Sequence, residues 1–151
     1  MTLLRAIAIL CVAGWLGIMA FFSFAVAPVV FRAIDRAVAG QAVAAVLPRY
    51  YDWGLVLTAI ALVASLIQLI VSQEARRRPL AAAALAGVMF VALVWASVVL
   101  LPRAESARRA RDDGAFAEAH RASVRLNLVT LVAGAAFVVA DGVSRWRERG
   151  R

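Results

Sequence analysis

This sequence predicts an all-α integral membrane protein: a four-helix bundle with a short amphipathic interfacial helix between spans one and two. Three observations carry that reading. Hydrophobic residues make up 64 % of the 151, and the mean hydropathy is +0.85, whereas a soluble domain is nearer half apolar. The apolar residues gather into four long runs, at about 6–31, 53–72, 80–101 and 124–143. The charged residues are left between those runs and at the chain ends. A chain of this length suits one domain, so 1–151 is read as a single membrane domain.

Span one, AIAILCVAGWLGIMAFFSFAVAPVVF, exceeds the roughly 20 residues needed to cross a 30 Å hydrocarbon core. Arg5 and the triplet Ala25-Val26-Ala27 resemble parts of a signal peptide. Cleavage there would leave Pro28 first, and the apolar run continues to Phe31, so the helix is read as retained. Pro28 is expected to bend or end its last turns. Gly14 and Gly17 thin one side for a neighbouring helix.

Residues 32–52 are too polar to span. Ile34, Val38, Ala42 and Val46 recur at helical spacing, which predicts the interfacial helix, stopped by Pro48. Tyr50, Tyr51 and Trp53 follow as an interfacial aromatic cluster. Span two carries Thr58, Ser65 and Gln68. A short turn over 73–79, with Arg76, Arg77 and Arg78, makes spans two and three antiparallel neighbours. Span three opens on alanines, contains Gly87 and closes at Pro102-Arg103. A mixed-charge segment follows, punctuated by Gly114, and a helix is expected to restart near Phe116. It runs without a breaker into span four, where Arg125 and Asp141 can snorkel to the two interfaces. Trp146 and a basic tail anchor the end.

Net charge is +8, and every basic residue apart from His120 is Arg. These Arg residues flank apolar runs and form no basic helix interleaved with aromatics. The expected partner is therefore the lipid bilayer and not nucleic acid. The short Arg-rich turn and the basic tail favour a bacterial inner (plasma) membrane with both termini in the cytoplasm. Cys11 alone excludes an internal disulfide and a Cys-based zinc site. No serine-hydrolase elbow, phosphate loop or carboxylate pair is present, so no catalytic residue and no enzyme is predicted.

Four spans bring the two long-loop boundaries to one membrane face. There Arg32, Tyr51, Arg103, His120, Ser123 and Asn127 converge as a candidate polar pocket, with Tyr50 beside them. At about 100° per residue, His120, Ser123 and Asn127 fall within one arc of a helix, which Thr130 and Gly134 continue. Polar groups at membrane depth usually face the protein interior. His120 has three ligand-bearing readings: a metal ligand, a proton carrier, or half of a haem axial pair across a dimer. The plainer reading is an interfacial histidine paired with Glu118 or Tyr50. Met19, Cys11 and His120 cannot share a copper site, because Cys11 lies towards the opposite face. One His without a Met cluster or a Cys pair makes a poor metal or haem centre, so no cofactor is predicted.

The segments FFSFAVAPVVFRAID, AGQAVAAVLPRYYDWG, the LPR after span three and FAEAHRASVRLNL resemble the transmembrane-protein-205-like family, in bacteria a domain of unknown function. The resemblance runs through all four spans, and its sharpest part is His120-x-x-Ser123-Val124-x-Leu126-Asn127. It implies a four-span membrane protein of unestablished activity and gives weight to the line from His120 to Asn127. The leading reading is thus a non-enzymatic structural or complex-forming component. Its rival is an oligomeric transport module, or one holding a metal or haem, centred on His120. Transport would require a homodimer, joined through the small-residue faces at Gly14/Gly17 or Ala83/Gly87.

Overall fold

The computed structural model describes residues 2–72 and 77–149, with side chains assigned from 3 to 142 outside that gap. The turn expected at 73–79 lies mostly outside the described residues. So does Arg76, and so do the side chains of the Trp146 anchor and basic tail. The described elements are all helical: α1 (Thr2–Phe21), α2 (Ala27–Ala33), α3 (Arg36–Val71), α4 (Arg77–Trp95), α5 (Leu101–Arg109) and α6 (Asp113–Arg149). Four stretches are long and apolar enough to cross a membrane: Leu3–Ala33, Arg36–Val71, Arg77–Arg109 and Asp113–Gly142. Each span packs on its sequence neighbours, and the first also packs on the last. That closes an up-down-up-down square.

The prolines do not end the helices as expected. Pro28 and Pro102 each follow a single π-helical turn, Phe22–Val26 and Ala96–Leu100. In these turns Ala27 N–H reaches back five residues to the Phe22 carbonyl, and Leu101 N–H to that of Ala96. A proline offers no N–H and its ring clashes with the carbonyl four residues earlier. Those carbonyls, of Phe24 and Val98, lie inside the wider turns, so the helices continue to Ala33 and Arg109. Pro48 sits within an unbroken α3. The predicted interfacial helix is therefore the first turns of span two, and its Ile34, Val38 and Val46 are exposed. Packing overrides the proline penalty here: Ala39 before it and Tyr50 and Tyr51 after it are buried.

The remaining breaks are capped. The Asp35 carboxylate accepts from Ala37 N–H at 2.9 Å and starts α3. Arg111 takes a left-handed φ of 55° and ends α5, with Asp112 N–H on the Ala107 carbonyl at 3.0 Å. Asp112 then accepts from Ala115 N–H at 2.9 Å and opens α6. The helix break thus falls at Arg111–Asp112, while Gly114 lies inside the first turn of α6.

Trp15 is the largest wholly buried side chain, and it lies among Val12, Tyr50, Ala61 and Met89 in the core. A Cβ at Gly54 would meet its ring at 2.7 Å, and one at Gly134 would meet Leu16 at 2.7 Å. Gly54 and Gly134 are therefore glycines whose bare backbone receives side chains of neighbouring spans. A Cβ at Gly14 or Gly17 meets nothing within 4 Å. Of the two dimer faces considered, Ala83 is buried and Gly87 faces Leu62, so that face is used inside the bundle. Gly54→Ala is expected to destabilise the detergent-solubilised protein by about 1–3 kcal/mol, whereas Gly14→Ala, which adds a methyl in open space on a helix, should leave stability unchanged or raise it by up to about 1 kcal/mol. Thermal unfolding checks both, and the Gly54→Ala cost should shrink in a Trp15→Phe background.

Candidate functional site

The inward face of α6 is set by Ala119, Thr130, Ala133, Gly134 and Phe137, all buried. Ser123 and Asn127 share this face and are half-buried, as the helical arc requires. His120 does not share it. It stands about 100° round from Ala119, at the flank of the arc, and it is exposed. Its ring stacks on Phe116 one turn earlier, with centroids 6.2 Å apart and planes 8° from parallel.

Across the bundle, α3 presents Tyr50 and Tyr51, both buried. Tyr50 packs between Trp15 and Phe22, with ring centroids 4.8 and 5.1 Å away, and Tyr51 meets Tyr50 edge-on at 5.3 Å. The Tyr51 hydroxyl lies beside Ser123, whose own hydroxyl donates to the Ala119 carbonyl at 3.1 Å. Tyr51 and Ser123 are thus two members of the predicted pocket that the fold sets side by side. Arg32 closes α2 and is exposed. Arg103 is also exposed, and it lines a separate hollow of about 590 Å³ between α5 and α6, with Asp112 and Glu118. The structure thus brings Tyr51 and Ser123 together and sets Asn127 one turn below Ser123 on the same face. Arg32, Arg103 and His120 are distributed over the surface above them.

The remaining buried hydroxyls do not link helices. Thr58, Ser65 and Thr130 donate to carbonyls four residues earlier in their own helices, at 2.7, 2.7 and 2.9 Å. At membrane depth this self-satisfaction removes the cost of an unpaired hydroxyl. Among the described residues no three His, Cys, Asp or Glu side chains gather as a metal-holding group.

The strongest ionic contact lies at the other end of the bundle. Arg5 Nε donates to the Asp141 carboxylate, and Arg5 Nη2 reaches the Asp141 main-chain carbonyl at 3.2 Å. Both side chains are partly buried, at 26 % and 15 % exposure. Asp141 therefore joins span four to span one, where snorkelling had been expected. An even number of spans puts both residues at one membrane face, and that was the available signal. Arg49 pairs with Asp52, exposed, at 3.3 Å, while Asp35 caps α3.

Fold and polar mouths together define a multi-pass, four-helix membrane protein. The sequence profile of the family described as Domain of unknown function (DUF4149) matches residues 10–113, and the chain belongs to that family. The match runs from span one through α5 to the first residue of α6, so His120, Ser123 and Asn127 fall outside it. No curated protein and no solved structure matches the chain. Arg5→Ala, which removes the Arg5 guanidinium from a partly buried carboxylate, is expected to lower stability by about 1–3 kcal/mol, below the figure for a fully buried pair. Adding Asp141→Ala should restore most of it, as read by thermal unfolding in detergent.

Proposed function

We propose that this protein is a non-enzymatic component of a bacterial inner membrane, akin to the transmembrane-protein-205-like proteins, that works in a membrane complex through a polar helical head. The carrying observation is length. Span two and α6 contain 36 and 37 residues, about 55 Å of helix at 1.5 Å per residue, against a hydrocarbon core of about 30 Å. The excess lies mainly at the face opposite the termini, where the first turns of α3 and α6 meet α2 and α5. This head exposes Ile34, Val38, Val46 and Phe116 beside exposed Arg32, Arg36, Arg103, His120 and Arg121. Apolar side chains mixed with Arg and an aromatic–imidazole stack suit recognition by another protein or a second copy. The polar mouth of Tyr51, Ser123 and Asn127 lies directly beneath. Both termini are cytoplasmic in this reading, because the short turn and tail are rich in Arg and poor in acids.

The second reading is a transport or metal- or haem-holding oligomer centred on His120. Its support is that the imidazole is exposed and so open to a ligand shared between copies.

Four measurements test these readings. Arg111→Cys in a Cys11→Ser background should react with a membrane-impermeant maleimide on intact spheroplasts; reaction only after lysis reverses the orientation. Phe116→Ala with Arg32→Glu should abolish co-purification of partners, or of a differently tagged copy, while leaving the melting temperature unchanged. Asn127→Leu should lower stability or partner retention, and an unchanged protein removes the polar mouth from the proposal. A visible haem band, or stoichiometric metal lost in His120→Ala, would replace the first reading with the second.

A further inference from the structure

Opposite its buried face, α6 turns a second stripe outward. Arg121, Arg125, Leu128 and Val132 fall within about 60° of the helix circumference at about 100° per residue, on the side away from Ala119, Thr130 and Phe137. All four are exposed. The stripe is divided along its length, with two guanidinium groups one turn apart and then apolar side chains. Among the described residues neither Arg121 nor Arg125 makes a hydrogen bond or an ion pair. The nearest acid in sequence, Glu118, lines the hollow between α5 and α6 with Arg103. Like charges at this spacing destabilise a helix, so an anion between them brings a gain that the chain itself does not supply.

Their level along the bundle matches that of lipid headgroups. Met89 of span three lies against Gly134 of span four, and the two helices are antiparallel. Trp95, six residues on from Met89, is therefore about level with Leu128, six residues before Gly134. Trp95 is exposed, and an exposed Trp on a span marks the membrane–water interface. Arg125 then stands about 4.5 Å further towards the head, and Arg121 about 10 Å. Headgroups fill roughly 5–7 Å beyond each side of the hydrocarbon core, so both long side chains reach phosphate level while Leu128 and Val132 lie among acyl chains. We propose that Arg121 and Arg125 clamp the phosphate of an anionic phospholipid whose acyl chains run along Leu128 and Val132. Guanidinium suits phosphate in shape as well as in charge. A free phosphate uses the two cations and leaves the apolar half of the stripe without a role, whereas a lipid uses both. Phe116 and His120 stand about 100° or more round the helix from Arg121, so their stack is left to the contacts of the head. The assignment is independent of which side of the membrane the head faces.

The full-length protein in detergent, mixed with phosphatidylglycerol or phosphatidylcholine and read by native mass spectrometry, tests it. Wild type is expected to retain phosphatidylglycerol in preference to phosphatidylcholine. Arg121→Gln/Arg125→Gln should weaken that retention roughly thirtyfold, on the scale of two surface Arg contacts. Arg36→Gln, the same charge loss elsewhere on the head, should leave it unchanged. Equal retention of the two lipids by wild type, or an equal loss in Arg36→Gln, overturns the site. Displacement of the lipid by millimolar inorganic phosphate makes it a site for free phosphate and overturns the lipid assignment. If the double variant sheds a bound protein while both lipids are held equally, the stripe is a protein contact and the assignment falls. If the double variant does not fold, wild type alone decides: its melting temperature should rise with phosphatidylglycerol and not with phosphatidylcholine.

Discussion

Trp15 occupies the middle of the bundle because residue 54 has no side chain. In lipid there is no hydrophobic force drawing one apolar helix to another, so spans associate through close packing. The Trp15 ring lies where a Cβ of residue 54 would be, at 2.7 Å, and this fixes span one against span two in both height and rotation. Tyr50, one turn before Gly54, then stacks on Trp15, and Tyr51 turns towards α6 and Ser123. Gly134 does for spans three and four what Gly54 does for span two, receiving Leu16 and the Met89 methyl. The tightness has a cost. The Trp15 indole N–H and the Tyr50 hydroxyl are buried without a hydrogen-bond partner among the described residues, on the order of 1–3 kcal/mol each. Ring packing has to exceed that cost for the arrangement to persist.

A bundle fixed so firmly at its centre still has to let its helices leave the membrane intact. The two π turns do this for spans one and three, at matching places just before Pro28 and Pro102. Each absorbs one residue and accommodates a proline that would otherwise break the helix. The head can then be built from the same continuous helices that form the core. A partner bound to α2, α3, α5 or α6 is thereby in mechanical contact with the aromatic cluster.

The number of spans and the unbroken passage from charged to apolar in α6 were legible in the sequence, because hydropathy reports burial in lipid directly. So was the inward arc of Ser123, Asn127, Thr130 and Gly134, which needs only helical periodicity. The pairings were not. Trp15 with Gly54 and Arg5 with Asp141 join residues far apart in sequence, and which heights meet depends on interhelical packing that no local pattern records. Gly14 and Gly17 looked like the packing glycines because they share one helix at close spacing. They face outward, and the glycines that do pack stand singly on other spans. The prolines misled for a related reason: their local penalty is real, but a π turn or buried flanking residues offset it. His120 shows the limit of the helical wheel. It stands only about 20° beyond Asn127 on the wheel, yet that flank is exposed.

The two ends of the bundle are built on opposite principles, and that contrast bears on what each can do. At the head, charge is spread over exposed helix surfaces and paired, where paired at all, by contacts such as Arg49–Asp52 and Arg109–Glu105. Exposed pairs of this kind contribute little to stability, so the head surface is free to serve recognition. At the termini, Arg5 and Asp141 are partly buried and join the first span to the last. A closed ring of spans depends on that junction, because every other neighbouring pair is also tied by a connecting segment of the chain.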